Sequence, residues 1–252
     1  MKLRDWLIHA QATFDEIKAA TEQAFRAEEQ PGQYDELTQL DGLPAVRTVL
    51  IAAAGKHFSF GASVEEHQPG QVAGMLSAFH ALFRDLMNSG RVLLAAVSGQ
   101  CLGGGLELAA FCHRVFAAPG AKLGQPEIKL GAIAPIGSIL LPLRCGQGAA
   151  DDLLLSGRSI DAEEALRLGV VDELAEDPLE AALAWHRTHL QPLSAAALSH
   201  AVWAGRLALR RAVEQDLPLI ERRYTEQLMA TADGPEGIAA FLEKRSPQWS
   251  HK

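Results

Sequence analysis

Three short apolar runs, Val46–Ala54, Val92–Val97 and Val115–Ala118, each meet a glycine or a Pro-Gly pair soon after they end. A strand that is apolar throughout its length has to be buried on both faces, as in a parallel sheet covered on both sides. Helical patterns separate the runs. Met75, Leu76, Phe79, Leu82, Phe83 and Leu86 form one stripe, and Leu106–Cys112 forms a shorter helix. Strand and helix in alternation predict an α/β architecture.

The flanks of this region read differently. Leu3, Trp6, Leu7, Ala10, Phe14, Ile17, Thr21, Ala24 and Phe25 fall near helical spacing and stop before Pro31-Gly32. This predicts an amphipathic helix in a segment, 1–45, that stands apart from the core. Asp161 is placed to cap a helix running through Leu168, with Gly169 where a C-terminal cap belongs. Beyond about residue 176 the pattern is helical to the end, with breaks expected at Pro192, Pro218 and Gly234-Pro235. The expected division is 1–45, a core at 46–175 and a helical region at 176–252.

Composition narrows the function. Hydrophobic residues make up 48% of the 252 and charged residues 21%, enough for a substantial core. A net charge of -8 argues against a nucleic-acid partner, which needs a basic face. No apolar stretch spans a bilayer, and acids arrive too early for a signal-peptide core. Cys101, Cys112 and Cys145 are scattered and form no CxxC, so neither a disulfide framework nor a metal site is expected, and a reducing cytoplasm is the natural compartment.

The segment Gly99-Gln100-Cys101-Leu102-Gly103-Gly104-Gly105-Leu106-Glu107 follows a strand pattern and opens a helix pattern. Three consecutive glycines cost chain entropy. The bland explanation is a tight, closely packed strand-to-helix connection; the functional one is a helix N-terminus whose unpaired N–H groups bind negative charge. The spacing is not that of a dinucleotide site, and the next strand ends in Ala117-Ala118-Pro119 without an acid for a ribose. Glu107 has apolar sequence neighbours, so partial burial is expected, and a buried carboxylate needs a partner or a task. His57, His67, His80 and His113 show neither ligand spacing nor an acid partner in the sequence, and read as ordinary surface or core histidines.

Several segments occur together in an order similar to that of the crotonase (enoyl-CoA hydratase/isomerase) superfamily. They are Ser98–Glu107, Gly124-Gln125-Pro126-Glu127, Pro135-Ile136-Gly137, Leu155–Ile160, Ala165–Val171 and Gly237–Pro247. The resemblance covers roughly Val46 to the end. It implies a ββα spiral core with a C-terminal helical trimerisation region, and an acyl-CoA thioester substrate. It also implies a homotrimer or a dimer of trimers, and no cofactor beyond the CoA that the substrate carries.

On the matching positions, the resemblance assigns the two backbone donors of an oxyanion hole to Ala62 and Gly104. It assigns the acid/base carboxylates to Glu107 and Glu127. Preorganised donors that meet an enolate oxygen are commonly worth a few kcal/mol each, and paired carboxylates suit hydration, one taking a proton from water and the other delivering one to carbon. Unassisted, Glu107 would be a helix-dipole partner and Glu127 a solvated loop acid. Phe58, Phe60, Gly61, Gly103 and Pro135 are the expected substrate-binding residues; Lys56, Phe60 and Lys244 are the expected CoA contacts. Lys56 and Lys244 read equally well as ordinary solvated cations.

Most crotonases carry an Asp where Ser63 stands. With Phe58–His67 and Gln100–Glu107, this version resembles the cyclohexa-1,5-diene-1-carbonyl-CoA hydratases of anaerobic benzoyl-CoA breakdown. The implied product is a 6-hydroxycyclohex-1-ene thioester. Two alternatives stay open: a hydratase for linear enoyl thioesters, and a thioester-binding subunit without chemistry. The chain also departs from the family. Its first 29 residues lack the usual strand hairpin, and Glu65 occupies a position that often offers a lysine to CoA phosphates.

Overall fold

A computed structural model describes residues 46–53 and 55–252. The helix expected within 1–45 lies outside the described residues. The core is a four-stranded, all-parallel sheet in the order β1 (Thr48–Ala52), β2 (Val92–Val97), β4 (Arg114–Ala117) and β7 (Glu173–Leu174). Val49 is opposite Leu93, and Ala95 is opposite Val115.

The apolar runs divide by alternation, as a pleated strand requires. Val49, Ile51, Leu93, Ala95, Val97, Val115 and Ala117 face the larger apolar cluster. Leu50, Ala52, Val92, Leu94, Ala96 and Phe116 face a second one. Helices α1 (Val72–Asn88) and α2 (Gly104–Phe111) contribute to the first cluster, and α6 (Pro178–His189) covers the second with Ala182.

A second sheet is short. Strands β3 (Gln100–Leu102) and β5 (Lys122–Gly124) pair in parallel, and β6 (Ser159–Asp161) adds antiparallel to β5. The chain at Phe58-Ser59 lies along β3: Ser59 N–H donates to Gln100 O at 3.0 Å, and Leu102 N–H donates to Ser59 O at 2.9 Å. This pairing carries the Phe60-Gly61-Ala62 turn to the start of α2.

Helices α3 (Gly137–Cys145) and α4 (Gln147–Ser156) follow a 3-10 turn at Pro126–Leu130. Helix α5 (Ala162–Leu168) is capped as its sequence suggests: Asp161 accepts from Glu164 N–H at 2.9 Å, and Gly169 ends it at φ 80°. After β7 the chain forms α6, α7 (Ala195–Gly205), α8 (Leu207–Gln215), α9 (Leu217–Arg222), a π-helical segment Arg223–Leu228, and α10 (Asp233–Leu242). Pro192 falls between helices, whereas Pro218 sits in the first turn of α9 and Pro235 in that of α10. A first-turn proline loses no intrahelical bond, so these two start helices where the sequence suggested breaks. Among the described residues no helix is long and apolar enough to cross a membrane.

Candidate active site

The site forms where the short sheet ends. Gly103 has φ 55° and donates its N–H to Gly124 O at 2.9 Å, which locks the turn into α2. Gly104 opens the helix, where an N–H has no acceptor in its own helix. The Gly61-Ala62 backbone abuts it: a Cβ on Gly104 would stand 3.5 Å from Ala62 N, and one on Gly61 only 2.7 Å from Gly104 N. Gly61 has φ 88° and donates its N–H to Ser59 Oγ at 3.1 Å. The φ and the close approach together require glycine at 61. Phe79 of α1 backs the arrangement, its Cζ 3.0 Å from the same Gly104 Cβ position.

Glu107 stands in the first turn of α2 and is 4% exposed. Its Oε1 accepts from Gly137 N–H at 2.7 Å, the first residue of α3. Burial drives its pKa well above the ordinary carboxylate range, and the nearby Glu127 charge adds to this. Glu127 comes from the 3-10 turn, held by its own carbonyl, which accepts from Ala132 N–H at 3.0 Å. A Cβ on Gly103 would meet Glu127 Oε1 at 2.7 Å, so the carboxylate lies against the glycine turn. Burial raises its pKa to about 7, while the Gln125 amide, donating to Oε1 at 3.0 Å, pulls the other way. Glu127 Oε2 is buried and takes no hydrogen bond from the described residues. The result is two carboxylates in mutual electrostatic contact beside a pair of backbone segments carrying N–H groups. Two neighbouring carboxylates whose burial favours the protonated form, Glu127 raised to about 7, are a pairing suited to proton transfer.

The other sequence candidates are distributed around this centre. Phe58 is fully buried in the main core, so it is the phenylalanine turned inward. Phe60 is 52% exposed, with its ring edge-on to His57 at 5.2 Å. Pro135 is buried just before the Gly137 donor. Lys56 is exposed beside His57, and Lys244 is exposed at φ 55° just beyond α10, a helix that packs on the Glu127 turn.

Sequence reasoning missed four contacts, two of them made by the glutamates. Gln125 and Gly137 sit inside recognised motifs, yet nothing in their residue type announces the bonds to the glutamates. His67 is bonded to Tyr224, 157 residues away, and His80 to Glu221, 141 away. The absence of an acid partner for His80 in the sequence is thus corrected by the fold, which supplies one from α9. His57 and His113 are accounted for by backbone N–H groups of Gln100 and Leu93 donating to their rings.

Comparison with known proteins points the same way as the geometry. The family model described as Enoyl-CoA hydratase/isomerase matches residues 17–252, and so begins upstream of Val46, from which the resemblance was expected to run. The chain is 54% identical over 209 residues to the cyclohexa-1,5-dienecarbonyl-CoA hydratase of Thauera aromatica, covering 83% of this chain and 81% of that protein. It is 40% identical to a probable enoyl-CoA hydratase of Mycobacterium bovis, covering 85% and 84%. Among solved structures, a putative enoyl-CoA hydratase of Mycobacterium avium paratuberculosis superposes with a TM-score of 0.74 at 28% identity, covering 85% and 84%.

Proposed function

The chain belongs to the enoyl-CoA hydratase/isomerase family, and from that premise we propose that it is a hydro-lyase adding water to cyclohexa-1,5-diene-1-carbonyl-CoA. The observation that carries hydration is the buried Glu107–Glu127 pair, pressed against the turn that presents Gly104 and Ala62; the cyclic acyl group is supported by the 54% identical relative from Thauera aromatica. The thioester oxygen takes the N–H groups of Ala62 and Gly104. One carboxylate removes a proton from water as its oxygen bonds to the β-carbon, and the electrons pass through the ring to the thioester oxygen. The extended dienolate then collapses, its far end taking a proton from the other carboxylate. The product is 6-hydroxycyclohex-1-ene-1-carbonyl-CoA; the pair holds one proton before and after, now on the other carboxylate, and exchange with solvent resets it.

Donors aimed at the oxygen favour the enolate over the ground-state carbonyl, which is the source of rate acceleration. Phe60, Gly61, Gly103 and Pro135 border the acyl group, with Phe58 supporting the turn from inside. Lys56, Phe60 and Lys244 meet the CoA. No cofactor is needed beyond the CoA of the substrate. The exposed apolar side chains Leu143, Leu155, Trp203 and Phe241 suit burial between copies in a homotrimer or a dimer of trimers, as sedimentation would show. Three free cysteines suit a reducing cytoplasm.

A second reading keeps the site and changes the acyl group to a linear enoyl chain; the 40% identical mycobacterial relative favours it. A binding subunit without chemistry is disfavoured, because it would retain two costly buried carboxylates to no purpose. Steady-state kcat/KM for the cyclic dienoyl thioester against crotonyl-CoA separates the readings. The cyclic substrate should win by roughly ten- to a few-hundredfold, the range that apolar pocket contacts supply. An equal or reversed ratio selects the linear reading, and no turnover of either selects the binding subunit.

A further inference from the structure

A cavity of about 350 Å3 opens beside the C-terminal end of α2, the end opposite Gly104. That volume suits a small organic molecule. Its wall includes Leu140, Leu143 and Arg144 of α3, Asp172 ahead of β7, Leu209 of α8, and Arg206, which joins α7 to α8.

The ordinary explanation for two arginines here is capping. The last carbonyls of a helix lack intrahelical donors and carry the negative end of its dipole. Arg206 Nη1 donates to Phe111 O, and its guanidinium lies over the Phe111 ring at 5.4 Å. Arg144 Nη1 donates to Cys112 O at 3.0 Å, and its Nε to Val170 O at 2.8 Å. For Arg144 this accounts for the whole side chain, since Nη2 pairs with Asp172. Asp172 also accepts from Val115 N–H at 2.7 Å. That ion pair is closed.

Arg206 is not closed. Among the described residues no carboxylate pairs with it, and its Nε and Nη2 donate to none of them. Two guanidiniums against one carboxylate leave the wall with a net positive charge. Burial lowers the Arg206 pKa to about 10, and the Arg144 charge acts in the same direction, so it stays charged at neutral pH. The neighbouring Cys112 thiol, pushed up to about 12 by burial, supplies no counter-charge. A half-buried guanidinium without a counter-ion is costly. Nε and Nη2 form the side-on fork of a guanidinium, two parallel donors spaced for the two oxygens of a carboxylate.

We propose that this cavity is a second binding site, separate from the glutamates, for a small carboxylate with an apolar body: Arg206 holds the carboxylate side-on, and Leu140, Leu143 and Leu209 receive the body. The test needs no turnover, so it stands or falls apart from the hydratase reading. Benzoate is titrated calorimetrically into the full chain, with benzamide as its uncharged counterpart. Benzoate should bind saturably, and benzamide at least about tenfold more weakly, the scale of losing charge-assisted bonds. Arg206→Gln should weaken benzoate by at least about tenfold on the same grounds. Arg206→Lys keeps a charge and a donor for Phe111 O but has no fork. It should weaken benzoate by about three- to tenfold, and it reads the effect should the Gln variant not fold. Benzoate should raise the melting temperature of the parent more than that of either variant, each against its own baseline, which an arginine that only caps α2 would not produce. Acetyl-CoA, a saturated thioester, should leave benzoate affinity unchanged; displacement would place benzoate in the thioester site and overturn the proposal. Unchanged benzoate affinity in both Arg206 variants overturns it, and equal affinity for benzamide or inorganic phosphate overturns the carboxylate assignment. Absence of benzoate binding overturns the site as well; a smaller assembly of Arg206→Gln in sedimentation would then give the fork to a carboxylate of a second copy.

Discussion

Every residue of β2 is buried, and its side chains divide between two apolar clusters; of the three residues in β3, only Cys101 is buried. Both strands sit in parallel pairings. In the long sheet, strand β2 holds no ionisable side chain, although its connection to β3 also turns at a glycine, Gly99 at φ 60°. The short sheet ends in glycines at φ 88° and 55° and delivers Glu107 and Glu127 to one spot. Burial of apolar surface stabilises the first region. In the second, burial is used against the charged groups, lifting two carboxylates toward the pKa values proton transfer needs. Stability and the proposed chemistry thus belong to different sheets.

That separation can be broken or sharpened by substitution. Glu107→Gln and Glu127→Gln should each lower turnover by at least about a hundredfold. Thioester affinity, measured by calorimetry, should stay near the parent value because the backbone donors are untouched. Leu94→Ala, at a side chain with no exposed surface, should instead cost about 2–5 kcal/mol of unfolding free energy in urea titrations. Turnover of the folded variant should be unchanged within about twofold. Gly103→Ala should affect both regions: φ 55° disfavours any side chain, by about 1–2 kcal/mol, and the new Cβ meets Glu127 Oε1 at 2.7 Å. A fall in kcat of about tenfold or more is expected, larger than the stability loss would explain.

The smallest effect concerns pH. Glu127 binds its proton more tightly when folded, with a pKa raised from 4.5 to about 7. Between those values the native state holds more protons than the unfolded state, so stability falls as pH rises through this window. The amide introduced by Glu127→Gln does not titrate. The melting temperature of that variant relative to the parent should therefore improve by a few degrees between about pH 5 and about pH 8. A variant that loses ground to the parent as pH rises would contradict the assigned direction.

What the sequence discloses follows the same division. Strands β1, β2 and β4 are legible because burial on both faces demands unbroken apolar runs. Gly104 and Glu107 are legible through the resemblance of their segment to the family's motifs; the glycine triplet by itself reads first as a tight strand-to-helix connection. Strands β3, β5 and β6 have three residues each, too few to show a period. Gln125 and Gly137 act through bonds that no spacing rule encodes. The His67–Tyr224 pair is hidden further still, since it joins a 3-10 turn to a π segment across most of the described chain. Residues of the glutamate motifs are adjacent in sequence and so can be found by matching; residues brought together by long-range packing leave no local trace.

The central claim is that this chain adds solvent water to a conjugated cyclic thioester at the Glu107–Glu127 pair. Its most direct test is mass spectrometry of cyclohexa-1,5-diene-1-carbonyl-CoA incubated with the protein in oxygen-18 water. The predicted product is heavier by one water, carries its new hydroxyl oxygen from the solvent, and forms at a strongly reduced rate with Glu107→Gln or Glu127→Gln. Recovery of unchanged thioester from the parent protein, or equal product formation by either variant, would contradict it.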